Sequence, residues 1–383
     1  MKRINSALAI LCCAVSLASA FEPYVFERTR REYSSGGYAV IDSTKNAVMY
    51  SGNIIRELLA DPTFYAEHSV LDNNDTIGDY YVDRKFKRLF MWTGLQDAHY
   101  DGALVLAIED RRFVAYLQDG GVWGQASASI DVSHENVIYE MSWGDFGGPS
   151  DPEENAKEAE GVGVFNGENY QKVKLAQVPK FGISKLSSCF LPGENTLYDH
   201  LSGGLFDVSA NRLVRPKSDF LKKSNYLDCA AGVLLLAQDK KTVASGGGRA
   251  IYLYDIQRDT VTQTVYPKNV KGWSPDVWKL SPDGRHAVWG RKLDGGGHHV
   301  DAVLSGGLAV IFDAKTGKQV YSLNLQELSG DKTPQRYIFS GFSVDGNKLL
   351  FHDGKTIYVF DMRVMKLTNR VPVPFFPDFI VWP

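Results

Sequence analysis

One unit recurs along this chain: a short apolar strand ending on an acidic or amide residue, a polar turn, then a second strand. It reads YAVID-STKN (38–46), LVLAIED-RR (104–112), VGVFN-GEN (162–169), GGLFD-VSAN (203–211), IYLYD-IQRD (251–259), LAVIFD-AKTG (308–317) and TIYVFD-MRVM (356–365). The closing positions are Asp42, Glu109, Asn166, Asp207, Asp255, Asp313 and Asp361. Side chains of this type start turns by accepting hydrogen bonds from backbone amides just beyond them. The copies stand roughly 40–65 residues apart, a period that marks a repeated supersecondary unit.

A second strand–turn–strand element precedes six of the copies: YYVD-RKFK-RLFMW, SIDV-SHEN-VIYEMSW, CFLP-GEN-TLYDHL, LLLAQ-DKK-TVASG, VWKLSPDG-RHAVWG and FSGFSVDG-NKLLFH. Asp283-Gly284 and Asp345-Gly346 are strong turn dipeptides. Each unit is therefore four strands, a, b, c and d, repeated around a ring. The first copy holds strands c and d, with YVFERT (24–29) as b. Its missing inner strand is expected from the C-terminal PDFIVWP, which would cover an open sheet edge. The expected fold is an all-β, seven-bladed β-propeller of four-stranded blades, closed by a C-terminal strand in the N-terminal blade. Six blades is the alternative if the first copy is an appendage. The only helix expected lies around Asn53–Ala60, before Asp61-Pro62.

LSPDGRHAVW and VIFDAKTGKQVYSL, echoed by FSVDGNKLLF and YVFDMRVMKL, resemble the WD-repeat-like and quinoprotein-type seven-bladed propellers of bacterial exported proteins. No blade carries the Gly-His…Trp-Asp pairing of true WD repeats, and no quinoprotein enzyme motif is present. The resemblance thus implies a fold and transfers no site residue.

Lys2 and Arg3 precede an apolar run, Ala7–Leu17, and a small-residue signal, Ala18-Ser19-Ala20. This is the pattern of a secretory signal peptide over 1–20, with cleavage expected after Ala20 and one domain over 21–383. No later apolar run approaches the ~20 residues of a membrane helix. The expected location is secreted or periplasmic. Hydrophobic residues at 44% permit a large core, and a net charge of -3 gives no reason to expect a nucleic-acid partner.

In such a ring the a–b and c–d turns open on one face and the b–c and d–a connections on the other. The first set is short. The second holds Asn53 to about Thr76, Thr93–Gly102, Gly144–Gly161 and Arg291–Gly307. Connections longer than a fold needs are where binding tends to sit. Candidate contacts for a protein partner or small ligand are Trp273, Asp276, Arg336, Tyr337, Tyr100, His99 and Asp101, since exposed Trp, Tyr and Arg anchor binding surfaces. Trp278, on an inner strand, is expected to pack between blades.

GRKLDGGGHHVDAVLSGG (290–307) adds His298, His299 and Asp301, a donor set for a divalent metal if the glycines bend the chain. A mobile solvated loop is the plainer reading. The acidic run with Asp145, Asp151, Glu153, Glu154, Glu158 and Glu160 departs from the Ca²⁺ loop pattern and reads as a solvated excursion. No hydrolase or phosphate-loop signature is present. His200, His286 and His352, on or at the ends of b strands, read as structural. The leading function is a binding or scaffold module. The alternative is a quinoprotein-like oxidoreductase or lyase at the channel mouth. Cys189 and Cys229 are placed up to ~20 Å apart in depth, too far for a disulfide unless SNYLDCAAG folds inward.

Overall fold

The structure, a computed structural model, describes residues 21–28, 36–60, 76–83, 88–95, 99–109, 111–118, 127–131, 137–141, 162–165, 170–173, 188–191, 196–200, 204–207, 210, 212–239, 249–265, 276–292, 302–330 and 336–383. They form six antiparallel sheets. The first holds β1 (Tyr24–Glu27), β2 (Gly37–Asp42), β3 (Ala47–Asn53) and, from the far end of the chain, β28 (Pro377–Val381), in the order β28-β1-β2-β3. The second runs β4 (Thr76–Asp83), β5 (Arg88–Leu95), β6 (His99–Ala107), β7 (Arg112–Gln118). The third runs β8 (Ser127–Asp131), β9 (Val137–Met141), β10 (Val162–Phe165), β11 (Tyr170–Val173). The fourth runs β12 (Ser188–Phe190), β13 (Thr196–Asp199), β14 (Gly204–Asp207), β15 (Arg212–Pro216). The fifth runs β16 (Asn225–Ala230), β17 (Val233–Asp239), β18 (Arg249–Asp255), β19 (Thr260–Val265). The sixth sheet joins two such runs. One is β20 (Asp276–Leu280), β21 (His286–Lys292), β22 (Ala302–Asp313), β23 (Gln319–Asn324); the other is β24 (Tyr337–Phe342), β25 (Lys348–His352), β26 (Thr356–Asp361), β27 (Lys366–Pro372).

The turns follow from local chemistry. Asp42 Oδ1 accepts from the N–H groups of Thr44 at 2.9 Å and Lys45 at 3.0 Å. Asp207, Asp255, Asp313 and Asp361 make the same kind of bond to Ala210, Arg258, Thr316 and Arg363. Four residues after the acid the backbone turns left-handed, at Asn46, Asp259, Gly317 and Met365. The LSPDG and FSVDG hairpins repeat one another atom for atom. Ser281 Oγ donates to Asp283 at 2.5 Å and accepts from His286 N–H at 2.9 Å; Ser343 does the same with Asp345 and Lys348.

First strands of neighbouring sheets lie side by side: β4 with β8, β8 with β12, β12 with β16, β16 with β20, and β24 with β28. The cores lie between sheets. Phe26, Tyr38 and Phe379 of the first sheet pack on Ile77, Leu89, Met91 and Leu106 of the second. Val25, Ile41, Ile380 and Trp382 pack on Leu350, Ile357, Val359 and Val371 of the last run. Each fully buried large apolar side chain contributes about 1.5–3 kcal/mol, so these seams hold the sheets face to face.

Four expectations are corrected here. In the fifth sheet the inner strand is Asn225–Ala230 and not Val233–Asp239. Its turn is Ala231-Gly232, with φ of 48° and 78°, and an Ala at positive φ is no turn signal. Two further short helices join α1 (Ile54–Leu59): α2 (Asp219–Lys222) and α3 (Leu325–Ser329). Asn53, Ser218 and Asn324 cap them, each accepting a hydrogen bond three residues on. Thr93–Gly102 is largely strand, because β5 and β6 extend to Leu95 and His99. Part of Arg291–Gly307 is strand too: Ala302–Leu304 pair with Phe339, Ile338 and Tyr337 of β24. β22 thus begins on the last run and ends in its own. The kink falls at Gly307, φ 67°, where a Cβ would sit 2.8 Å from the Tyr337 ring and 2.9 Å from Leu325 Cβ.

Candidate functional site

Antiparallel pairing sends successive strands of a sheet in opposite directions. First-to-second and third-to-fourth connections therefore share one end, and second-to-third and exit connections share the other. At the first end every connection is short, none longer than the five residues between Phe342 and Lys348. At the second end lie Asn53 to Thr76, Met141 to Val162 and Val173 to Ser188. The three helices among the described residues sit there as well.

The described part of this end is built from several fixed pieces. Beyond β1, Arg28 pairs with Asp378 and lies 5.8 Å from the ring of Phe376. Phe376 also meets His352 edge-on, with ring centroids 5.1 Å apart. Asp353 at the β25–β26 turn accepts from Tyr358 Oη at 2.8 Å. Around α1 an open groove of about 660 Å³ is lined by Glu27, Gly37, Ser51, Arg56 and Glu57, among others. Glu57 takes hydrogen bonds from Tyr38 and Tyr50, both at 2.9 Å. Burial, then the Glu57 carboxylate, pushes the Tyr38 phenol well above its ordinary range, so it stays a neutral donor. Sequence reading missed this groove. Its one local signal, Asn53 capping a helix that carries Glu57, reveals the helix but not the two tyrosines that reach it.

The expected contacts divide. Arg336 is exposed at the entrance to β24. Tyr337, expected as an exposed anchor, is 0% exposed. Its hydroxyl lies 2.7 Å from Ser329 Oγ and its ring packs edge-on to Tyr358, because β22 crosses over it. Asp276 opens β20, opposite Arg291. His99 and Tyr100 pair with Leu95 and Gly94 at the tip of the β5–β6 hairpin, and Asp101 follows on β6. Trp278 is buried against Phe312 and Trp289, as its inner-strand position suggested. Trp273, His298, His299, Asp301 and the acidic run 145–160 lie outside the described residues. Among the described residues no three His, Cys, Asp or Glu side chains gather as a metal site. No helix among them is long and apolar enough to cross a membrane.

Two of the described histidines, His200 and His352, are held by hydrogen bonds, whereas His286 buries an Nδ1 that has no hydrogen-bond partner. His200 shares Nδ1 with Tyr198 Oη at 2.8 Å and Nε2 with Ser224 O at 2.9 Å. Burial, with Lys217 nearby, depresses its pKa to about 4. His352 Nδ1 accepts from Gly354 N–H at 3.1 Å.

No protein-family model matches the chain, and no curated protein sequence matches it. In fold it resembles solved structures of β-propeller type. Apo AztD from Citrobacter koseri aligns at a TM-score of 0.49 and 12% identity, over 94% of this chain and 97% of that one. Kuenenia stuttgartiensis hydrazine synthase aligns at 0.44 and 14%, over 78% and 87%. The WD40 repeats of RRP9 align at 0.42 and 12%, over 78% and 81%. Likeness of this degree says nothing of activity.

Proposed function

We propose that the chain is an exported seven-bladed β-propeller, its ring closed by β28 on β1, which binds a protein partner or small ligand through the rim that carries its long connections. The carrying observation is the one-sidedness of those connections. One end of the sheets carries only short connections, several pinned by Asp or Ser, while the other bears the long spans and, among the described residues, three short helices. A fold needs only the tight turns, so the added length on one end points to recognition. Export is supported by Lys2, Arg3, the apolar run 7–17 and the Ala18-Ser19-Ala20 signal.

Arg336, exposed beside the first strand of the last run, and Trp273, Asp276, His99, Tyr100 and Asp101 are the proposed contacts. His298, His299 and Asp301 are proposed to approach the same rim, since Asp301 directly precedes the β22 segment paired with β24. The test is crosslinking in the native exporting compartment, comparing the wild type with Arg336→Ala and Trp273→Ala. Specific partners lost from both variants, with unchanged thermal unfolding, support the reading. Partners retained in full by both variants overturn it. Metal analysis of the purified protein, with His298→Ala as the comparison, tests the metal set; a metal-free wild type removes it.

A further inference from the structure

We infer that Cys229 is bridged to Cys189, so that a disulfide ties the first strands of the fourth and fifth sheets. Cys229 is disulfide-bonded, and the chain's other cysteines are Cys12, Cys13 and Cys189. Cys189 lies on β12, which packs beside β16, the strand of Cys229. The apparent difference in depth disappears in the true register. Cys189, opposite Tyr198, is the last residue but one of Ser188–Phe190. Cys229, opposite Leu234, is the last but one of Asn225–Ala230. Both therefore stand one residue short of the strand end at their first hairpin. Placement near the same end of adjacent strands is compatible with the Cα separation under about 7 Å that a bridge requires.

The neighbouring residue extends the tie to a third strand. The bulge between Tyr226 and Asp228 directs the Asp228 carboxylate across to β20. Its Oδ2 accepts from Leu280 N–H at 2.7 Å, and Oδ1 lies 3.7 Å from Lys279 Nζ. No hydrogen-bond ladder joins β12, β16 and β20, because each is the edge strand of its own sheet. The bridge and the Asp228 bond supply the covalent and polar links that the ladders do not. In forming the bridge the two thiols lose two electrons and two protons to a dithiol–disulfide oxidase of the exporting compartment.

The inference is independent of the binding reading. Its test is made on the full exported protein. Free thiols are alkylated under denaturing conditions without reductant, and the digest is mapped by mass spectrometry. A single crosslinked pair containing Cys189 and Cys229 is expected. Cys229 found alkylated, or joined to another cysteine, overturns the assignment. Thermal unfolding with and without dithiothreitol then reads the structural role. The wild-type midpoint is expected to fall by about 5 °C in reductant, whereas Cys189→Ser shows no further fall. An equal fall in both, or in neither, overturns the role as a staple.

Discussion

Arg28 and Asp378 stand 350 positions apart in the chain, and their side chains meet. Nη2 lies 2.8 Å from Asp378 Oδ1, and Nε donates to the same oxygen at 2.9 Å. Arg28 N–H also donates to Phe376 O at 2.8 Å. The contact extends the β1–β28 pairing, in which Tyr24 opposes Val381 and Val25 opposes Ile380. Both side chains are largely shielded, so water screens the pair less than an exposed one. A double-mutant cycle with Arg28→Ala and Asp378→Ala should give a coupling of ~1 kcal/mol in urea unfolding. Strictly additive single effects would show the pair to be idle.

Met365 holds φ at 52° in the turn that Asp361 begins, where Gly317 occupies the matching place after Asp313 at φ 64°. An L side chain in that region costs about 1–2 kcal/mol, partly offset by the entropy a glycine adds to the unfolded chain. Met365 also packs, partly buried, on the core of the last run, so Met365→Gly exchanges that contact for backbone relief and should change stability by less than about 1 kcal/mol. Chemical denaturation with an unchanged m-value is the check, and a loss of about 2 kcal/mol or more would contradict the account.

Gly307 and Gly330 separate backbone strain from steric overlap. Both have positive φ, 67° and 72°, but a Cβ at Gly330 meets nothing within 4 Å, whereas one at Gly307 runs into Tyr337 and Leu325. Gly330→Ala should cost about 1 kcal/mol and Gly307→Ala about 2–4 kcal/mol. Equal costs would mean that β22 does not press on Tyr337.

His200 makes stability depend on pH in one direction. Its folded pKa of about 4 lies below the ordinary 6.5, so the unfolded chain binds the proton more readily. The contribution is complete above about pH 6.5, declines as pH falls toward 4, and is absent below that. Over this window it amounts to up to ~3 kcal/mol. His200→Gln should flatten the stability profile between pH 6.5 and 4 relative to the wild type. Parallel profiles would show that another group is responsible.

The amino-acid sequence by itself determined the four-strand unit, the turns at Asp42, Asp207, Asp255, Asp313 and Asp361, the Asn53 cap, and the pairing of the C-terminal strand with β1. Each is written in bonds that reach two or three residues, or in an alternation every strand carries along its own length. Tertiary structure alone decided the Ala231-Gly232 turn, the passage of β22 onto β24, the burial of Tyr337 and the depth of Cys229. Ala231 accepts a left-handed backbone because β16 and β17 are held in register around it, and no local preference records that. Tyr337 is covered because Gly307 lets a strand cross it, and the two stand 30 positions apart in the chain. Contacts made between sheets draw on residues far apart in the polymer, so they leave no periodic mark on either one.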